Sequence, residues 1–232
     1  MQNTQSYRLL PVFTGLFVAC LLISNVANAA KFVQIGFLTI AGGTLIFPIS
    51  FIFGDILTEV YGYKQSRNVI WTGFGSLVLM SVFMFMLGKL PAPDFWTNQE
   101  GYDIMFGLVP RIIIASMAAY FCGEFCNSVV LSKMKFAVGG QRGWKQAWRF
   151  IASTLVGEAI DSLVFFSVAF YGVLANGDLV RAALSAYLVK LIIEIVMTPV
   201  STRFANWVKH VEGVDQIDRP EETTYNPFAV QP

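Results

Sequence analysis

The chain has a single histidine, His210, in 232 residues, and only 13% of its residues are charged. Soluble domains carry about a quarter charged residues. One histidine near the C-terminus removes histidine-based metal sites and histidine-dependent nucleophilic chemistry from everything upstream. Cysteine is scarce too. Cys20, Cys122 and Cys126 all fall inside apolar stretches, where a thiol acts as a small hydrophobe. There is no Walker A motif and no H-E-x-x-H, so neither ATP hydrolysis by this chain alone nor zinc-peptidase chemistry is expected. "FGD" at 53–55 approaches the G-x-G-D of intramembrane aspartyl proteases, but Phe53 breaks the pattern and no second motif follows. The chain reads as a non-enzyme with no cofactor and no metal. Its net charge of +1 gives no electrostatic case for nucleic acid.

What the chain has instead is apolar length. It is 55% hydrophobic, contains 21 Phe and has a mean hydropathy of +0.59. A soluble core of this size cannot hide so much apolar surface. The expected fold is an all-α integral membrane protein of six spans, each long enough to cross a bilayer. The spans are 9–30, 38–61, 66–90, 110–133, 149–172 and 179–208. This makes residues 9–209 one transmembrane domain, with a cytoplasmic N-terminus at 1–8. The polar, proline-containing tail at 210–232 reads as disordered and cytoplasmic. The first span resembles a secretory signal in its basic start and its "ANA" end, but Ser24, Asn25 and Asn28 favour a retained helix. The loop at 91–109 has prolines, acids and interfacial aromatics, which suits an extracytoplasmic loop with a short surface helix.

Lysine and arginine set the orientation. With both termini cytoplasmic, Arg8, Lys64, Arg67, Lys133, Lys135, Arg142, Lys145, Arg149, Arg203, Lys209 and Arg219 face inward, and only Lys31, Lys89, Arg111 and Arg181 face outward. A short repeat also stands out. "GEFCNS" in the fourth span and "GEAIDS" in the fifth share the form G-E-x-x-[N/D]-S, and "GDILTE" in the second is related. Two halves of three spans would have inverted topology, a 3+3 plan found in many secondary transporters.

The ionisable residues inside the spans are Asp55, Glu59, Glu124, Glu158, Asp161, Lys190 and Glu194. One charge at bilayer depth costs at least about 2.5–3.5 kcal/mol, so such residues pair, face a cavity or handle a ligand. Helical spacing puts Glu124 with Asn127, Glu158 with Asp161, and Lys190 with Glu194 on shared faces. Lys190 and Glu194 can neutralise each other within one helix, or gate or tether the substrate. Glu158 and Asp161 have no partner in their own helix and need a cation or donor between them. They are therefore the first candidates for ligand contact. Asp55 and Glu59 lie nearer the cytoplasmic end and read as a gate, ion-paired with Lys64 or with Arg203 of the sixth span. Pro48, falling in mid-span two behind Gly42 and Gly43, suggests a broken helix lining a cavity.

The segments "FPISFIFGDILTEVYGYKQSRNVIW", "PRIIIASMAAYFCGEFCNSVVLSKMK", "RFIASTLVGEAIDSLVFFSVAFYG" and "KLIIEIVMTP" together resemble the queuosine precursor transporter family, within the vitamin uptake transporter group. The resemblance extends over about 9–209. It implies a bacterial inner-membrane importer of 7-cyano-7-deazaguanine, 7-aminomethyl-7-deazaguanine or queuine, used for tRNA modification. A guanine-like edge offers two adjacent donors, which one carboxylate can accept, and a carbonyl, which an amide can meet. Under this resemblance Glu158 and Asp161 take the base edge, Asn127 and Glu124 complete the pocket, and Asn25 and Asn28 contribute from the first span. The alternative is a substrate-binding subunit of an energy-coupling-factor complex. Those subunits commonly carry an A-x-x-x-A face on the first helix, which this first span lacks. Small-residue faces leave a homodimer open.

Overall fold

The computed structural model describes residues 7–35, 38–106, 110–172 and 175–229. Among them are six helices: α1 (Leu10–Ala30), α2 (Phe47–Gly88), α3 (Gln99–Phe106), α4 (Pro110–Ala137), α5 (Trp144–Phe170) and α6 (Asn176–Glu212). A two-stranded antiparallel hairpin, β1 (Phe32–Ile35) with β2 (Leu38–Ala41), and a 3-10 turn (Gly42–Leu45) join α1 to α2. Five of the helices are long and apolar enough to cross a membrane; α3 is the short one. α1, α2 and α4 each carry a proline in the first turn, where the missing N–H costs no helical bond. α6 ends at Gly213 in the left-handed conformation, with Lys209 and His210 in its last turn.

The span expected over 38–61 therefore starts later. Residues 38–45 are strand and 3-10 turn, and Pro48 opens a helix rather than breaking one. A proline with apolar residues before it reads equally as a kink or as a start, and here the start prevails. The 3-10 turn is held on the end of α1: the Gly42 N–H donates to the Lys31 carbonyl at 2.7 Å, and the Ser24 hydroxyl to that of Gly43 at 3.2 Å.

α2 runs for 42 residues but is interrupted at Gly62 (φ 81°, ψ 170°), a backbone conformation that strains any side chain. In an unbroken helix Thr58 and Ser66 would stand about 12 Å apart along the axis. Instead their hydroxyls are hydrogen-bonded at 2.8 Å, and both meet Ser128 of α4, at 3.1 and 3.0 Å. The chain thus turns back on itself at Gly62.

The molecule buries many polar and charged side chains and exposes many large apolar ones. Asp55, Thr58, Glu59, Asn127, Ser128 and Gln146 are fully buried. Leu79, Leu163 and Val196 are about two-thirds exposed. This is the inversion that a hydrocarbon solvent demands. The aromatic side of the core lies between α1, α2 and α4, where Phe13, Phe17 and Leu21 pack with Ile56, Val60, Ile70 and Tyr120.

The tail that composition reads as disordered lies against the helices over 213–229. Gln216 N–H donates to the Val60 carbonyl, and Asp218 accepts from the Tyr63 N–H (2.8 Å) and the Ser132 hydroxyl (2.5 Å). Arg67 and the Trp71 indole donate to the carbonyls of Asn226 and Pro227, and Phe228 packs on Trp71 and Phe121. Asp218 and the backbone groups of Gln216, Asn226 and Pro227 thus find partners on the helices, while Arg219, Glu221 and Glu222 stay exposed.

Candidate functional site

α4 and α5 form the most extensive helix pair, and the two G-E-x-x-[N/D]-S segments are its centre. A Cβ placed on Gly123 would lie 2.8 Å from Asp161 Cβ and 3.0 Å from the Gly157 carbonyl oxygen. One on Gly157 would lie 2.8 Å from Asn127 Cβ and 2.9 Å from the Gly123 oxygen. The contact is reciprocal: each glycine receives the other motif's Asn or Asp. Only glycine permits such backbone proximity, the same device that joins small-residue helix faces in membranes. It brings Glu124 and Asn127 of one motif together with Glu158 and Asp161 of the other, all buried.

α2 and α6 close the cluster. The Glu124 carboxylate lies directly over Gly54, beside Asp55. Asn127 Nδ2 donates to Asp55 Oδ1 at 2.7 Å. From α6, Lys190 Nζ reaches Glu158 Oε2 at 2.8 Å and Asp161 Oδ2 at 2.5 Å. Glu194, 2% exposed, lies within electrostatic reach of Asp55, Glu124 and Glu158. Five carboxyl groups from four helices thus share the interior, and Lys190 bridges two of them. Several polar atoms here are buried without a hydrogen-bond partner: both Glu124 oxygens, Asp55 Oδ2, Asn127 Oδ1, Glu194 Oε1, the Tyr120 hydroxyl and the Ser162 hydroxyl. Native interiors rarely leave such groups idle outside functional sites.

A second ionic centre lies one turn along α2. Glu59 Oε1 receives Arg149 Nη2 of α5 at 2.5 Å and Lys209 Nζ of α6 at 2.7 Å. Lys209 continues to Asp215 at 2.9 Å, and Lys135 of α4 joins Asp215 at 2.6 Å, the Gln216 carbonyl at 2.5 Å and the Glu59 carbonyl. Burial raises the Asp215 carboxyl, but hydrogen bonds and charge from Lys135 and Lys209 outweigh it and hold it below the usual aspartate range.

The sequence-based site residues fare unevenly. Glu124, Asn127, Glu158 and Asp161 are brought together, and Asp55 and Glu194 join them. The cation that Glu158 and Asp161 require is Lys190, which crosses between helices instead of serving Glu194 along its own. Glu59 pairs with Arg149 and Lys209, not with Lys64 or Arg203; both of those are exposed. Register along separate helices decides such pairs, and spacing within one helix carries no record of it. Asn25 donates to the Leu21 carbonyl of its own helix at 2.9 Å. The Asn28 side chain lies outside the described residues. Reading the sequence missed Arg149, Lys209, Lys135 and Asp215, although the dense cations of 133–149 marked the region. Among the described residues no group of three or more His, Cys, Asp or Glu is arranged to hold a metal ion.

The model of the putative vitamin uptake transporter family matches residues 41–204. A probable queuosine precursor transporter of Bacillus subtilis (strain 168) is 27% identical over 190 residues, covering 80% of this chain and 81% of its own. One of Haemophilus influenzae is 28% identical over 130 residues, 56% of this chain and 51% of its own. The queuosine precursor transporter of Escherichia coli (strain K12) is 26% identical over 172 residues, 73% of this chain and 72% of its own. No solved structure matches. The match spans both G-E-x-x-[N/D]-S segments and the helices that close around them, and this multi-pass membrane protein belongs to the putative vitamin uptake transporter family.

Proposed function

We propose that this chain imports queuosine precursors, the 7-deazaguanines, across a bacterial inner membrane, and that the cluster around Glu124 and Asn127 is where the base binds. In this reading α2 contributes two crossings on either side of Gly62, giving six in all with both termini cytoplasmic. The "GDILTE" segment of the second crossing and the "GEAIDS" segment of the fifth are then counterparts in an inverted 3+3 repeat. The Thr58–Ser66 hydrogen bond, made across the interruption at Gly62, supports the two crossings of α2.

The observation that carries the proposal is the buried Glu124 carboxylate, whose two oxygens have no hydrogen-bond partner. A carboxylate with both oxygens available suits the paired donors of a guanine edge, and the unpartnered Asn127 Oδ1 is a further acceptor beside it. Glu158 and Asp161, bridged by Lys190, form the opposite wall, where Lys190 can meet the base carbonyl. An aminomethyl substituent is cationic and suits the excess of carboxyl groups. The relatives named above as queuosine precursor transporters support the substrate class.

The test is tRNA queuosine content in a bacterium unable to make precursors, fed each deazaguanine. The intact chain restores queuosine, and Glu124→Gln at equal protein level lowers uptake by about tenfold or more, the value of a charge-assisted hydrogen bond. No restoration by the intact chain with any of the three compounds overturns the substrate class. Full uptake by Glu124→Gln overturns the role of that carboxylate.

A further inference from the structure

Asp55 of α2 and Glu194 of α6 are 0% and 2% exposed, and Asp55 lies within electrostatic reach of Glu194. The groups facing them come from every helix around the cluster. Glu59 lies on α2, Tyr120, Glu124 and Asn127 on α4, Glu158 and Asp161 on α5, and Lys190 on α6. Each nearby cation already has an acidic partner: Lys190 holds Glu158 and Asp161, while Arg149 and Lys209 hold Glu59. Asp55 keeps one hydrogen bond, from Asn127, and Asp55 Oδ2 and Glu194 Oε1 have no hydrogen-bond partner. The Glu124 carboxylate, 1% exposed, points across to Gly54 beside Asp55, and the Tyr120 hydroxyl behind it is also unpartnered. Three ionised carboxylates cannot share so dry a site without counter-ions.

We propose that Asp55 and Glu194 form a proton-carrying pair that couples deazaguanine import to proton entry. This rests on the reading of the chain as a deazaguanine importer. With the cluster open outward, a carboxylate of the pair takes a proton from external water and an O–H bond forms. Sharing that proton, the pair carries one negative charge fewer and lets α2 and α6 close over the substrate. With the cluster open inward, the same O–H bond breaks and the proton leaves to cytoplasmic water with the substrate; no electrons change hands. Pro199, five residues beyond Glu194, removes one helical hydrogen bond and supplies a bending point in α6. Asn127 ties this pair to the substrate, since its Nδ2 holds Asp55 while its Oδ1 is available to the base.

The experiment uses the full chain in liposomes with labelled 7-cyano-7-deazaguanine, which is neutral, so only the proton senses the gradient. An acid-outside gradient of one pH unit supports about a tenfold inward accumulation for one proton per substrate. Glu194→Gln abolishes that accumulation, so its plateau is the same with and without the gradient. Asp55→Asn does the same if Glu194→Gln proves unstable. Equal plateaus with and without the gradient overturn the proposal, as does normal accumulation by both variants. A substrate-independent reading separates this from failure of the import assignment. The infrared C=O stretch of a protonated carboxyl is expected at neutral pH in the intact chain and weakened in Glu194→Gln. Its absence overturns the pair even if transport is seen. Its presence in a chain that moves no deazaguanine shows that the substrate class is what failed.

Discussion

Two acidic centres lie within a turn of each other on α2, and they are opposites. Glu59 is surrounded by cations from α5 and α6, and the tail supplies Asp215 as a second acid for Lys209 and Lys135. Each of its two acids meets two cations. Around Asp55, Glu124 and Glu194 carboxyl groups gather with unpartnered oxygens, and the one lysine is committed to Glu158 and Asp161. Equal burial thus serves two ends. A network whose acids are all paired with cations locks helices together, although Glu59 Oε2 and Arg149 Nε in it make no hydrogen bond. An unbalanced one weakens the fold locally and leaves groups that a substrate or proton can satisfy.

The largest effect should come from the same substitution made in both centres. Glu59→Gln leaves Arg149 and Lys209 buried without a full counter-charge, a loss of about 3–5 kcal/mol. Thermal unfolding of the detergent-solubilised chain should fall sharply. Glu124→Gln removes an unpaired acid, so its melting temperature should stay level or rise although uptake falls. Equal destabilisation by the two would erase the distinction between the centres.

Next in size is the contact that brings the two motifs together. Gly157→Leu must displace Asn127 or the Gly123 backbone, and overpacking of this kind costs about 1–3 kcal/mol. Gly75→Ala, at a position with nothing near its would-be Cβ, is the control and should melt like the parent. If both behave alike, the motif contact does not hold the site.

The smallest effect is on the tail. The Asp215 carboxyl is held below its ordinary range, so its contribution is present above the unfolded aspartate value and is lost as pH falls through the lower, folded value. Amide protection over 213–218, taken relative to the intrinsic exchange rate at each pH, should therefore fall in acid, while protection around Gly123 and Gly157 is unaffected by that carboxyl. Asp215→Asn should exchange faster already at neutral pH and show less further change.

The spans over 9–30, 110–133 and 149–172 were legible because apolar length and a first-turn proline or a basic flank mark helix ends directly. The paired G-E-x-x-[N/D]-S segments were legible as a pattern, though their face-to-face glycine contact is a matter of approach distance that letters do not encode. The start of α2 was misplaced because β2 and the 3-10 turn are as apolar as a helix. Lys190 and Glu59 found partners on other helices, since depth in the bundle, not spacing in the chain, decides which charges meet. The tail misled for a related reason. Its polar residues suit disorder in water, but Asp215, Gln216 and Asp218 face buried donors that only the assembled helices provide.

That tail has a consequence for how the protein is made. All the helices precede it, so they are synthesised before residues 213–228 exist. Until then Lys135 and Lys209 lack Asp215, the turn at Gly62 lacks Asp218, and the Trp71 indole lacks its carbonyl. The bundle is thus assembled first and latched afterwards. Docking of residues 213–228 on α2 and α4 therefore follows the synthesis of every helix it holds together.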